Sequence, residues 1–210
     1  MTNILIADDH AIVRAGLRQI LADVPGMVVA GEAGSGSEVM GILRGGRFDV
    51  VLLDINMPGK TGLEVLKQIR EEYPRLPVLI LSMYPEEQYA VRVMKAGANG
   101  YLTKESAPEQ LVHAITRVAR GGKFISMTLA EQLAEALSAD MEKPPHERLS
   151  DREFEIFRML AAGRTVSQIA DQLALSVKTI STYRTRMLEK MQLGNNAELT
   201  TYAIKHGLIH

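Results

Sequence analysis

Over the first 120 or so residues, short apolar runs alternate with longer stretches in which apolar positions recur at helical spacing. The runs Asn3–Ala7, Val28–Ala33, Val50–Leu53, Val78–Leu81 and Gly100–Leu102 have strand length, and several are apolar throughout, as strands covered on both faces must be. Between them, Ile12–Ala22, Ser37–Leu43, Gly62–Glu72, Glu86–Ala96 and Pro108–Arg120 read as helices. Five successive β/α units predict an α/β fold, a parallel five-stranded sheet with helices on its faces. Gly121-Gly122 ends the fifth helix, a further short helix is expected over Thr128–Ala139, and Met141-Glu-Lys-Pro-Pro-His146 reads as a linker.

Beyond this linker the strand-like alternation stops. Four helical stretches follow: Asp151–Ala162 with Ser150 as N-cap, Val166–Leu173, Val177–Met191 with Ser176 as N-cap, and Asn196–His206. The expected organisation is an α/β domain over 1–122, a linker with a short helix over 123–146, and an all-α four-helix domain over 147–210. A chain of 210 residues exceeds the usual size of one domain, roughly 100–150 residues, so two cores are the natural solution.

Composition narrows the classes. No cysteine is present, which excludes disulfides, thiolate zinc sites and cysteine nucleophiles. No run reaches the roughly 18 apolar residues of a membrane span, and the start MTNILIADDH has acids where a secretion signal has bases, so a soluble cytoplasmic protein is expected. The net charge of −1 argues against nucleic acid only until the charge is divided along the chain. Residues 1–123 hold 14 bases and 14 acids, whereas 144–210 hold nine bases and seven acids. Within 176–190, Lys178, Arg184, Arg186 and Lys190 face only Glu189, a local +3 suited to phosphates.

Chemistry gathers at the expected strand ends. Asp8-Asp9 closes the first apolar run and Asp54 the third, and ligands of open α/β sheets collect at the carboxyl ends of strands. Such neighbouring carboxylates repel unless a cation compensates them. With oxygen ligands only and no dedicated cage, Mg²⁺ suits the set. Ser82 and Lys104 end the fourth and fifth runs on the same rim, and Lys104 is a point charge suited to a phosphoryl group. Asp54 can then act as the nucleophile of an aspartyl phosphate. A glycine-rich stretch, Gly31-Glu-Ala-Gly34-Ser-Gly36, lacks the last glycine of a dinucleotide loop and follows the wrong strand.

Asp8-Asp9, Asp54-Ile-Asn-Met-Pro58-Gly59, Ser82 and Tyr101-Leu-Thr-Lys104, in this order, resemble the receiver domains of two-component response regulators. The resemblance implies a flavodoxin-like (βα)5 fold and phosphorylation of Asp54 by a histidine kinase. It implies Mg²⁺ on Asp9, Asp54 and the Asn56 carbonyl, with Asp8 helping through water, and a switch in which Ser82 and Tyr101 respond to the phosphoryl group. Glu105 stands where many receivers have proline, which leaves the geometry of the Lys104–Glu105 peptide open.

In the second domain, helix, short turn and helix over Thr165–Arg184 read as a helix-turn-helix. A 100° projection places Val177, Ile180, Met187 and Met191 on one face with Leu188 at its edge, and Lys178, Ser181, Thr182, Thr185 and Arg186 on the other, a face suited to a major groove. Leu149-Ser-Asp-Arg152-Glu153, Ile169-Ala170, Ser176-Val-Lys178-Thr179-Ile180 and Asn195-Asn-Ala-Glu198-Leu199 resemble the LuxR-type helix-turn-helix. With the receiver this points to the NarL/FixJ class, a transcription regulator rather than an enzyme. The resemblance implies Lys178, Thr179, Ser181, Thr182, Thr185 and Arg186 as DNA contacts and a homodimer paired through Asn196–His206. Ala174 stands where glycine is common in the turn, so a left-handed backbone there would be strained. Two rivals are a constitutive DNA-binding protein with an inert receiver and an α/β phosphohydrolase; the latter needs a second carboxylate where Asn56 stands.

Overall fold

The structure, a computed structural model, describes residues 1–138 and 144–209, so Met141–Lys143 of the expected linker lie outside the described residues. It divides into two compact units, Met1–Glu131 and Gln132–His210.

In the first unit the strands are β1 (Thr2–Ala7), β2 (Met27–Ala33), β3 (Val50–Asp54), β4 (Val78–Ser82) and β5 (Gly100–Thr103). They alternate with α1 (Ala11–Ala22), α2 (Gly36–Gly45), α3 (Gly62–Glu72), α4 (Glu86–Lys95) and α5 (Pro108–Ala119). All strand pairs are parallel and the order is β2-β1-β3-β4-β5. β3 and β4 are buried along their whole length, whereas the edge strand β2 alternates between covered and open positions. Successive side chains leave opposite faces. Ile4, Ile6, Val50, Leu52, Leu79 and Leu81 therefore pack in one layer with Leu21 of α1 and Leu111, Ala114, Ile115 and Val118 of α5. Leu5, Val51, Leu53 and Ile80, of the opposite parity, are fully buried beneath the other layer.

The sheet order reverses its direction of growth between β1 and β3, which creates the switch point where α/β folds hold ligands. The register Ala7↔Leu53 brings the carboxyl ends of these two strands side by side. Gly62 makes the close packing of α3 on β3 possible: a Cβ there would lie 2.0 Å from the Asp54 carbonyl oxygen.

After α6 (Met127–Ser138) and a 3-10 turn at Pro145–Arg148, the second unit has α7 (Asp151–Ala161), α8 (Val166–Gln172), α9 (Val177–Met191) and α10 (Asn196–Lys205). Ser150 and Glu153 form a reciprocal capping box at the start of α7, Thr165 and Gln168 do so for α8, and Ser176 accepts from the Thr179 N–H at the start of α9. Phe154, Phe157, Leu160, Ile169, Ile180, Met187, Leu199 and Ala203 build the core of this unit. Among the described residues no helix is long and apolar enough to cross a membrane.

Candidate functional site: the acidic pocket and the exposed helix

Four adjacent strands each deliver a polar side chain to one rim. Asp8 follows β1, Asp54 ends β3, Ser82 ends β4, and Lys104 follows β5. The Asp8 and Asp54 residues are only 1% and 2% exposed, which makes the pairing of two carboxylates an electrostatic problem. Lys104 answers it in part, with Nζ 2.7 Å from Asp54 Oδ2 and 2.7 Å from Asp8 Oδ2. The contact to Asp54 is a hydrogen bond, whereas Asp8 Oδ2 meets the ammonium only as an ion pair.

Burial first, and the neighbouring Asp8 charge second, push the Asp54 carboxyl up to about 6 against the pull of Lys104 and the Asn56 N–H. Burial also works against the Lys104 ammonium, but Asp54 and Asp8 outweigh it and hold its pKa above the usual lysine value. A single ammonium thus leaves the cluster short of positive charge.

The loop after β1 completes the acidic set. Arg14 Nη1 donates to the Asp8 carbonyl at 2.6 Å and the His10 N–H donates to Asp8 Oδ1 at 2.9 Å, which fixes the turn that carries Asp9. Asp8, Asp9, His10 and Asp54 each offer a ligand atom, all within 4.8 Å of one another. The Asn56 N–H donates to Asp54 Oδ1 at 3.1 Å, and Asn56 Oδ1 is buried with no hydrogen-bond partner among the described residues. This donor set, rich in oxygen and short of cations, fits a hard divalent ion.

Ser82 and Tyr101 meet at one residue. Ser82 Oγ accepts from the Tyr84 N–H at 3.1 Å, and the buried Tyr101 donates its hydroxyl to the Tyr84 carbonyl at 2.7 Å. Tyr84, absent from the candidates read in the sequence, is the piece of backbone both side chains hold. His10 was also missed, since a histidine after two acids in a loop carries no spacing signal of its own. The Lys104–Glu105 peptide is trans.

In the second unit, α8, a tight turn and α9 form the helix-turn-helix, and Ala174 in the turn has φ +52°. Ile180, Met187, Leu188 and Met191 are buried, as the projection expects. Val177 corrects that projection: as the first residue of α9 it is 50% exposed, whereas Ile180, one turn on, is fully buried. Lys178, Ser181, Thr182, Thr185 and Arg186 are all exposed. Thr182 and Thr185 donate back to the Lys178 and Ser181 carbonyls, which leaves their oxygens as outward acceptors. Thr179 is half-buried, its hydroxyl 2.8 Å from that of Ser176.

The local charge also needs correction. Lys190 is bonded to the Glu153 carboxylate at 2.7 and 2.8 Å, and Arg184 donates to Asn196 Oδ1 at 2.7 Å. Neither partner lies within the stretch whose charge was counted. Lys178 and Arg186 remain as the exposed bases of α9 on the hydroxyl-bearing face.

Comparison with known proteins finds matching families for both units. Residues 4–116 match the response regulator receiver domain, and residues 147–203 match the bacterial regulatory proteins of the luxR family. The response regulator UvrY of Escherichia coli strain K12 is 40% identical over 209 residues, covering 99% of this chain and 96% of UvrY. The response regulator GacA of Pseudomonas aeruginosa is 38% identical over 210 residues, covering 100% of this chain and 98% of GacA. Among solved structures, RcsB from Salmonella enterica serovar Typhimurium, bound to promoter rprA in the presence of the phosphomimetic BeF3−, aligns with a TM-score of 0.63 at 29% identity, covering 96% of this chain and 98% of RcsB.

Proposed function

The chain belongs to the two-component response regulators of the NarL/FixJ class, with a receiver and a LuxR-type DNA-binding domain that act in transcription regulation, and from that premise we propose that phosphorylation of Asp54 by a histidine kinase controls promoter binding through α9. The observation that carries this reading is the buried Asp8–Asp54–Lys104 cluster at the β1/β3 switch point, with its deficit of positive charge. Residues 1–122 act as the receiver, 123–146 as the connection and 147–210 as the DNA-binding domain, in a cytoplasmic protein.

Asp9, Asp54 and the Asn56 carbonyl would hold Mg²⁺, with Asp8 assisting. Bound there, the ion supplies the positive charge that relieves carboxylate repulsion and neutralises the transferring oxygens. An Asp54 carboxylate oxygen forms the new P–O bond as the P–N bond of the donor phosphohistidine breaks; the electron pair returns to the donor imidazole, which takes a proton from solvent. Lys104, already 2.7 Å from Asp54 Oδ2, stays beside the phosphoryl group and counters its charge.

Ser82 donates its hydroxyl proton to the phosphoryl group, and a shift of Ser82 alters its bond to the Tyr84 N–H, so Tyr101, held by the Tyr84 carbonyl, senses the same event. Phosphorylation thereby biases two receiver states and favours a homodimer on DNA. In the active dimer α10, with Ile204 61% exposed, pairs with its counterpart, and Lys178, Thr179, Ser181, Thr182, Thr185 and Arg186 face DNA, the bases on phosphate or guanine and the hydroxyls on base edges.

The test is labelling by a small phosphoryl donor with Mg²⁺. Wild type becomes phosphorylated and Asp54→Asn does not; equal labelling of both overturns the assignment of the acceptor.

A further inference from the structure

The polar contacts proposed for α9 leave one exposed side chain of that helix without a role. Val177 opens the helix and is 50% exposed, although Ile180, on the same face, is fully buried. Among the described residues of the second unit, the other large hydrophobic with comparable exposure is Ile204, which the proposed α10 pairing covers. Val177 carries no charge and no hydrogen-bonding group, so a phosphate offers it nothing, whereas another apolar group that excludes water from it does. At successive turns beyond it stand Ser181 and Thr185, both exposed, so the three side chains run along one line of the helix. Thr185 commits its hydroxyl hydrogen to the Ser181 carbonyl at 3.2 Å, which leaves it an acceptor oxygen and a methyl. The positive charge lies on the adjacent line, Lys178, Thr182 and Arg186.

In the major groove an A·T pair presents the amino donor of adenine and the C5-methyl of thymine, and a G·C pair has no methyl. The first residues of a recognition helix are those that reach base edges. We infer that Val177 is a specificity-determining residue that packs on the C5-methyl of a thymine, so that the line Val177, Ser181 and Thr185 reads A·T pairs while Lys178 and Arg186 hold phosphate or guanine. The acceptor oxygen of Thr185 suits the adenine amino group, and its methyl adds to the apolar contact. The inference rests on the reading that α9 enters the major groove. Loss of one methyl from such a contact weakens binding about fourfold for each copy on the DNA.

The test starts with the full chain, treated with Mg²⁺ and a small phosphoryl donor, selecting its preferred site from random duplex DNA. That site is then remade with uracil in place of each thymine in turn, which removes the methyl and leaves base pairing intact. At one thymine of a half-site, wild type loses about fourfold in affinity on uracil. Val177→Ala is weaker than wild type on the thymine site and indifferent to uracil at that one position. Its dependence on salt equals that of wild type, because the valine meets no phosphate. Preferred half-sites without thymine, or a wild type that tolerates uracil at every position, overturn the inference without recourse to a variant. Equal uracil costs in the two proteins at every position overturn it as well, and if Val177→Ala then self-associates less, the side chain meets a second copy instead. Each of these results leaves α9 as the DNA-binding helix. Failure of wild type to select any DNA sinks both readings.

Discussion

Asp54 keeps its proton to about pH 6 because it is buried and faces Asp8, with Lys104 pulling the other way. Its folded value lies above the ordinary 3.8, so between about pH 4 and 6 the native state binds more protons than the unfolded chain. Stability of the metal-free protein then falls as pH rises through that window, by on the order of 2–3 kcal/mol. Mg²⁺ needs the ionised carboxylate, so its affinity climbs as pH rises through about 6 and levels off above about 7. Calorimetric titration between about pH 5 and 8 checks this; affinity that stays flat or falls over that range contradicts it. The members of this cluster were legible because each acid, Ser82 and Lys104 ends an apolar run, and strand ends share a rim. Asn56 Oδ1 and His10 were not, because a buried orphan oxygen and a ring beside two carboxylates exist only once the loop is folded.

At the scale of elements, the run and period signals placed every strand and α-helix among the described residues but not the 3-10 turn at Pro145–Arg148, and α3 and α9 have the expected bounds. Val177 failed because a projection takes a helix as equally covered along its length, whereas the first residue of α9 is half exposed. The +3 charge of that stretch holds as a count, but not all of it is free, because Glu153 pairs with Lys190 from another helix, 37 residues away. Two predictions belong here. Ala174, at φ +52°, bears the strain of a Cβ in the left-handed region, so Ala174→Gly raises the stability of the second unit by about 0.5–1 kcal/mol. Denaturant unfolding measures it, and a loss of stability contradicts the strain argument. Replacing Lys178 and Arg186 together with alanine weakens DNA binding at every sequence and lowers the slope of log affinity against log salt by about two for each copy on the DNA, one for each phosphate contact. A slope equal to that of wild type means these bases do not meet the backbone.

Across the whole molecule, two units with separate cores hold a buried charge cluster and an exposed helix face, which on the proposed reading respond to one phosphoryl group and meet DNA. Two modest bases on α9 give limited affinity in a single copy, so in the proposed dimer a second copy on a second half-site supplies much of the binding energy, and control of pairing becomes control of occupancy. The split into two folds was legible from the end of strand-like alternation before residue 151. The Ser82–Tyr84–Tyr101 connection was not, since it runs through a backbone group that no side-chain pattern marks. The most direct measurement is the affinity of the full chain for promoter DNA with Mg²⁺, before and after treatment with a small phosphoryl donor, beside Asp54→Asn. Treatment should tighten wild-type binding and leave the variant unchanged; wild-type binding that is equally strong in both states would show a DNA-binding protein whose acidic pocket does not govern it.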